Sequence, residues 1–469
     1  MTDILLLMKH ELTLVVIIVL LLILKIREKE EGAENYMPFV NIMLAGNFLL
    51  GLVLNRGGEL FDGMFVSDNI MVLQKNILNF GVLMISMQSS AWLGRHRHAP
   101  EFFVLLLSTL LGMFLLLSSR NFLMFYLALE LSTIPLAAMC NYDLAKRRSS
   151  EAAMKLILSS ALSSGILLFG ISLFYGATGT FDFREISSLA DSSALQIMAF
   201  IMVFTGFAFK LSVVPFHLWT ADVYEGSPVA VTSFLSVISK GVMVFALCNV
   251  LYTVFNQMSS IWYDLIVITS VLTMAIGNLF AIRQENIKRF LAFSSIAQVS
   301  YILIGISGMS AHGMTSSIYF ILIYIFSNLG AFGVVAIVSH ASGKESINDY
   351  RGFAHKNPAL AWILTISLFS LAGIPPTAGF FGKLFLLNSG AGQENWYLII
   401  FASMNMIVSL YYYLRVVKSM FMDETEEEIN VESTWLARLS LYICVGGILI
   451  TGFTTGIYEH ILSLAQSLK

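Results

Sequence analysis

Long apolar runs separated by short polar ones are the dominant pattern of this chain. Fourteen of the runs are long enough to cross the ~30 Å hydrocarbon core of a bilayer as helices. They lie near 4–24, 37–54, 69–88, 100–118, 121–140, 152–176, 194–216, 228–254, 260–282, 287–308, 314–339, 358–387, 396–420 and 436–463. Pro38, Pro100, Pro228 and Pro358 fall at run starts, where a helix has no use for the missing N–H. Pro135, Pro215, Pro375 and Pro376 fall inside runs and predict helix breaks. Broken backbone inside a bilayer persists only against protein or a water-filled cavity. The sharpest case is GFAFKLSVVPFHLW at 206–219, which sets Lys210 deep in run 7 and Pro215 just after it. Trp92, Trp219, Trp262, Trp362, Trp396 and Trp435 fall near run ends, as an interfacial belt requires.

Composition agrees with an all-α polytopic membrane protein of about 14 transmembrane helices: 57% hydrophobic, 12% charged, mean hydropathy +0.78. The first run, DILLLMKHELTLVVIIVLLLILKI, has no small-residue cleavage site and predicts a retained helix. A formal charge of -3 argues against a nucleic-acid partner. Cys140, Cys248 and Cys444 stand singly on apolar segments, so iron–sulfur and zinc sites are not expected. Without a G-x-G-x-x-G in a strand–helix setting or a P-loop, no nucleotide or flavin cofactor is expected in this chain either.

Basic residues set the orientation. Loops after odd-numbered runs hold most of them, including Lys25, Arg27, Lys29, Arg95, Arg97, Lys146, Arg147, Arg148, Lys155, Arg283, Lys288 and Arg289. The other side holds Lys9, Arg56, Lys75, Arg120, Arg184 and Lys469. The positive-inside rule then puts the odd loops in the cytoplasm and both termini in the periplasm.

An internal repeat is suggested by GFAFKL at 206–211 and GFFGKL at 379–384, each beside intramembrane prolines. The spacing matches units of five helices, runs 4–8 and 9–13. Five is odd, so the units are inverted, with broken helices 7 and 12. The chain then divides into a three-helix segment (1–99), a first five-helix unit (100–256), a second (257–420), and an acidic loop with a C-terminal helix (421–469). The loop's DETEEE at 423–428 reads as solvated.

Three lysines and one acid sit where charge is costly: Lys210, Lys240, Lys383 and Glu130. Lysines can snorkel to an interface, but these are deep, and Lys210 and Lys383 adjoin breaks. Glu130 reads either as a structural ion-pair partner or as a switch. At an effective dielectric of ~20, a Lys–Glu pair gains roughly 4 kcal/mol at 4 Å and about 2 at 8 Å. A movement of a few ångströms by Glu130 would therefore make Lys210 hold or release a proton. Ser294, Ser295, Gln298 and Ser300 on run 10, with Ser327 and Asn328 on run 11, each suit helix–helix hydrogen bonding. As a set between Lys240 and Lys383 they suit a hydrated path. His217, with Asp222 and Glu225 close behind, reads equally as a proton exchanger or as a partner for loop backbone.

Several stretches carry a family resemblance. They are KLILSSALSSGILLFGISLFYGATGTFDF (155–183), KLSVVPFHLWTADVYEGSPVAVTSFLSVISK (210–240) and GNLFAIRQENIKRFLAFSSIAQVSYILIG (277–305), then YRGFAHKNP (350–358), SLAGIPPTAGFFGKLFLL (370–387) and SLYYYLRVV (409–417). With these the chain resembles the antiporter-like membrane subunits of respiratory complex I, a family shared with multisubunit cation/proton antiporters. VYEG and YYYLRVV favour the N-type chain of bacterial NADH:quinone oxidoreductase over its L and M relatives. The resemblance implies proton translocation, with Glu130 and Lys210 as a pair, Lys240 central and Lys383 in helix 12. Many relatives carry histidine where this chain has Gln298, which cannot titrate and would act by orienting water. Implied partners are other complex I membrane subunits, M-type and K-type, in a bacterial inner membrane. NADH, FMN, iron–sulfur clusters and quinone would belong to other subunits. Two other readings remain open: a Mrp-type Na⁺(K⁺)/H⁺ antiporter subunit, and a non-pumping structural subunit.

Overall fold

The computed structural model describes residues 2–27, 36–53, 55–94, 96, 98–424, 429 and 431–466. Lys29, Arg95, Arg97, Lys469 and residues 425–428 of the acidic run lie outside them. All fourteen predicted runs are helical. The first three are Lys9–Arg27, Tyr36–Val53 and Asn69–Gln88. Ala99–Ser118, Phe122–Cys140 and Arg147–Thr178 follow. Run 7 is split into Ala194–Leu211 and Leu218–Gly226, and run 8 extends from Val229 to Thr253. The second unit repeats this with Ser259–Ile282, Ile287–Ser307, Ala311–Ser342, the split pair Pro358–Ala372 and Ala378–Ala391, and Trp396–Phe421. Trp435–Phe453 closes the bundle. Twelve helices among the described residues are long and apolar enough to cross a membrane. The first misses that measure because Lys9, Glu11, Lys25 and Arg27 crowd its ends, and the twelfth because it is split.

The two five-helix units share local detail. Asn121 and Asn286 each cap the following helix through the side chain. Beside each cap the chain returns as a short antiparallel bridge, Asn121 with Asp182 and Asn286 with Ser346. The third helix of each unit has 32 residues and ends on a left-handed glycine, Gly179 or Gly343. Both breaks are built alike. Ser212 and Gly373 take left-handed backbone, the N–H of the next residue reaches back five positions (Val213 to Ala208, Ile374 to Phe369), and a cis proline follows at Pro215 or Pro376. These equivalences run at 161 positions across the break, Ser212 to Gly373.

That register corrects the motif reading. Lys210 sits in the last turn before its break, whereas Lys383 follows its own. Residues 173 positions apart are therefore not equivalent, and GFAFKL with GFFGKL is a chance likeness within a genuine repeat. In the structural register, Asp222 occupies the place of Lys383.

Four further expectations change. Pro135 does not break its helix, which runs unbroken to Cys140. One proline removes a single N–H···O bond, at Leu131, and here no left-handed residue accompanies it. Trp219 and Trp262 are interior, their indole N–H groups donating to the Phe209 and Phe255 carbonyls at 3.2 and 3.0 Å, so they do not belong to the belt. Lys9 and Lys75 are buried within the bundle, and Lys155 lies on a helix that begins early, at Arg147. The last run stops at Phe453, and Gly456–Gln466 forms a separate short helix that buries Ile461 and Ala465.

Candidate functional site

Lys210, Lys240 and Lys383 each sit at an irregularity in the helices, Lys210 half-buried and the other two fully buried. Lys210 ends the first half of run 7. Its ammonium donates to the Thr133 hydroxyl (2.6 Å) and the Ser160 hydroxyl (2.8 Å), on runs 5 and 6. Among the described residues no ion pair joins it to Glu130, whose Oε1 is buried without a hydrogen-bond partner. The expected pair is therefore open in this conformation. A cavity of about 20 Å³ lies between Lys210, Thr133, Ser239 and Met243, room for about one water.

Lys240 follows a π-helical turn, Leu235–Ser239, which the sequence did not reveal. Such turns insert a residue into the helix and re-aim the side chains beyond it. The Lys240 ammonium donates to the Ser295 hydroxyl at 2.6 Å and lies 5.9 Å from the Tyr224 ring. One helical turn earlier, Ser236 meets the Tyr324 hydroxyl (3.3 Å) and accepts from the Asn328 amide (3.0 Å). Thr232, Ser236 and Lys240 stand four residues apart, a polar stripe on an apolar helix that reading the sequence could have found.

Lys383 is fully buried against the end of the other half-helix. It donates to the Leu371 and Ala372 carbonyls (2.8 and 3.2 Å), where a helix C-terminus favours a cation. The Tyr301 ring lies 4.8 Å from the ammonium. Gln298 donates to the same Leu371 carbonyl (2.9 Å) and to the Tyr413 hydroxyl (3.1 Å), and Tyr413 meets Ser294 at 2.5 Å. With Ser295 on Lys240, run 10 thus carries polar contacts from one lysine to the other. Among the described residues neither Lys240 nor Lys383 has a carboxylate partner.

The remaining predicted residues divide. Ser327 reaches Ser370 (2.7 Å), which accepts from the Gly379 N–H just past the second break. Ser300 turns back on its own helix at the Ala297 carbonyl and stands outside the chain of contacts. His217 is buried with Nδ1 unpartnered, apart from Asp222 and Glu225. Those acids instead bind Arg289 at 2.6 and 2.9 Å, and Asp222 also binds Lys155 at 2.6 Å. Thr133, Ser160, Ser236, Tyr324, Ser370 and Tyr413 are additions of the structure. Hydroxyls are too common in membrane helices to single out without their partners.

Comparison with known proteins follows the same geometry. Residues 119–409 match the family described as NADH:quinone oxidoreductase/Mrp antiporter, TM. The chain belongs to this family. Among its relatives is NADH-quinone oxidoreductase subunit N of Azobacteroides pseudotrichonymphae, 45% identical, the match covering 87% of this chain and 86% of that one. The subunit N of Phocaeicola vulgatus is 46% identical, with 85% and 86% covered. A chain of respiratory complex I from Thermus thermophilus superposes with a TM-score of 0.84 at 27% identity, over 95% of this chain and 97% of that chain. A chain of the Mrp complex from Dietzia shares the fold at a TM-score of 0.86 and 19% identity, over 98% and 96%. The family fold is thus a multi-pass helical membrane bundle, and the breaks beside Lys210 and Lys383 lie inside the matched segment.

Proposed function

We propose that this chain is a proton-translocating, antiporter-like subunit in the membrane arm of an NADH:quinone oxidoreductase. The observation that carries this reading is the row of three lysines at helix irregularities, each held by hydroxyl or carbonyl groups and none by a carboxylate among the described residues. A buried ammonium held by neutral groups can give up its proton without leaving an unpaired buried carboxylate. Protons pass from Lys210, governed by Glu130, through a water in the adjoining cavity towards Lys240. From there they reach Lys383 by way of Ser295, Ser294, Tyr413 and Gln298. Ser327 and Asn328 hold the second break and the π-turn in register with this line. His217 exchanges protons at the first break.

In this reading the chain lies in a bacterial inner membrane with both termini periplasmic. Glu130 shares a helix face with the exposed Leu127 and Ile134, a surface for a neighbouring membrane subunit of M-type or K-type. NADH, FMN, iron–sulfur clusters and quinone act in other subunits, and redox energy reaches this chain as conformational work. The reading is tested by purifying the tagged chain from native membranes and measuring NADH:quinone reductase activity. Co-purifying activity supports it; a complex with cation/proton exchange and no reductase activity would favour the Mrp-type alternative.

A further inference from the structure

The helix of run 1, Lys9–Arg27, opens with three ionisable residues in a row, Lys9, His10 and Glu11, and all are buried. Glu11 Oε1 accepts from Lys75 of run 3 at 2.6 Å, and both side chains are at most 2% exposed. Lys75 also donates to the Ser118 hydroxyl of run 4 (2.7 Å) and lies 5.1 Å from the Phe65 ring, on the hairpin Gly58–Leu60/Phe65–Ser67. Lys9 donates to the Leu50 carbonyl and Asn55 Oδ1, and Arg56 pairs with Asp3 at the surface. The cluster therefore sets Lys9, Lys75 and His10 around one carboxylate.

Several observations separate it from a static ion pair. Glu11 Oε2 and His10 Nε2 are buried with no hydrogen-bond partner, as are both amide atoms of Gln74 beside Lys75. Buried polar atoms of this kind call for water. A line of amides then runs inward: His10 Nδ1 meets Asn47 Oδ1 (2.9 Å), Asn47 donates to Asn79 (3.2 Å), and Asn79 donates to the Leu44 carbonyl (2.9 Å). Run 3 also packs tightly on the central helix. A Cβ on Gly81 would stand 2.4 Å from Ile238 of the π-turn, and one on Gly241 would stand 3.3 Å from Leu78. A shift of the Lys240 helix must therefore be felt by the helix that carries Lys75.

We propose that Glu11 and Lys75 form a second proton-exchange site, in the three-helix segment outside the two five-helix units. It trades protons with the compartment facing the chain's N-terminus. The proton moves from Lys75 Nζ to Glu11 Oε1, breaking one N–H bond and forming one O–H bond, and no electron is transferred. The ion pair becomes an amine and a neutral acid. The carboxyl group then turns so that its O–H faces the side now held by Oε2 and gives its proton to water there, and the amine takes up a proton from water in its place. This site rests on the reading of the complex as a proton translocator.

The test uses the whole complex in liposomes, with proton uptake measured per NADH oxidised and turnover followed against pH. Lys75→Arg keeps the ion pair and cannot release its proton. The double variant Glu11→Gln/Lys75→Met removes both charges together, which a purely structural pair tolerates. Each is expected to assemble, to lose proton uptake per NADH, and to shift the pH profile of turnover. Wild-type uptake and pH profile in either assembled variant overturns the proposal, and if one variant fails to assemble the other decides. Lys240→Met is the control: if it also pumps normally, the translocator reading falls; if it alone loses pumping, only this second site falls.

Discussion

Lys383 and Gln298 donate to one backbone oxygen, that of Leu371, from 2.8 and 2.9 Å. The glutamine thereby places Tyr413 within reach of the lysine's own acceptor. Gln298→Leu should sever this link. The loss of a hydrogen bond of about 1 kcal/mol corresponds to roughly fivefold in rate, so NADH-driven proton uptake should fall by that order. Gln298→His, which keeps a donor, should retain most of it. Tyr413→Phe should resemble Gln298→Leu. Equal uptake in all three variants would remove this line from the path.

Among the described residues Glu130 is the one carboxylate placed to govern Lys210, and it stands open, with Oε1 unpartnered. Glu130→Gln should leave the complex assembled, since no direct ion pair is lost. Proton uptake and turnover should both drop, because the attraction of roughly 2–4 kcal/mol that Glu130 exerts over 8 to 4 Å disappears. Native-gel assembly and pumping, measured on one preparation, check this.

Thr133 and Ser160 are the hydroxyls that hold the Lys210 ammonium. Thr133→Val or Ser160→Ala should lower the stability of the solubilised complex by about 1–3 kcal/mol each, the cost of leaving a charged donor short of a partner. The double variant should lose more. Thermal inactivation of the purified complex gives the comparison.

Gly373 takes φ +85, and a Cβ there would stand 3.2 Å from Cδ of Lys383. Gly373→Ala combines backbone strain of about 1 kcal/mol or more with pressure on the lysine, so turnover should fall. At the equivalent position in the first break, Ser212→Gly relieves the left-handed backbone but removes the hydroxyl that accepts from Thr220 at 2.7 Å, so the two effects oppose and the net change should stay within about 1 kcal/mol. Turnover of the two variants, assayed side by side, tests whether the breaks share one construction.

Much of this was readable from residues alone. Helix count, both broken helices and the intramembrane charges follow from apolar length, prolines and the cost of burying lysine. The repeat was also legible, but through a misleading sign. GFAFKL and GFFGKL are alike in letters, while the matching features are a left-handed Ser212 or Gly373, capping Asn121 or Asn286, and paired long helices. Backbone conformation, not side-chain identity, carries that symmetry. Pro135 was over-read because a proline alone does not turn a chain. Lys75 was misplaced because it stands only six residues into its helix, where a loop-side lysine and a buried one look the same until Glu11 is brought beside it. Tyr413 and Ser236 gain their importance only from partners far away in the chain.

The central claim is that protons pass through Lys240. The direct measurement is NADH:quinone turnover together with proton uptake in liposomes, on a purified, fully assembled complex carrying Lys240→Met, which keeps the side chain's bulk and removes its charge. The account predicts that turnover and uptake fall together. Wild-type values of both would contradict it and leave the chain a structural member of the membrane arm.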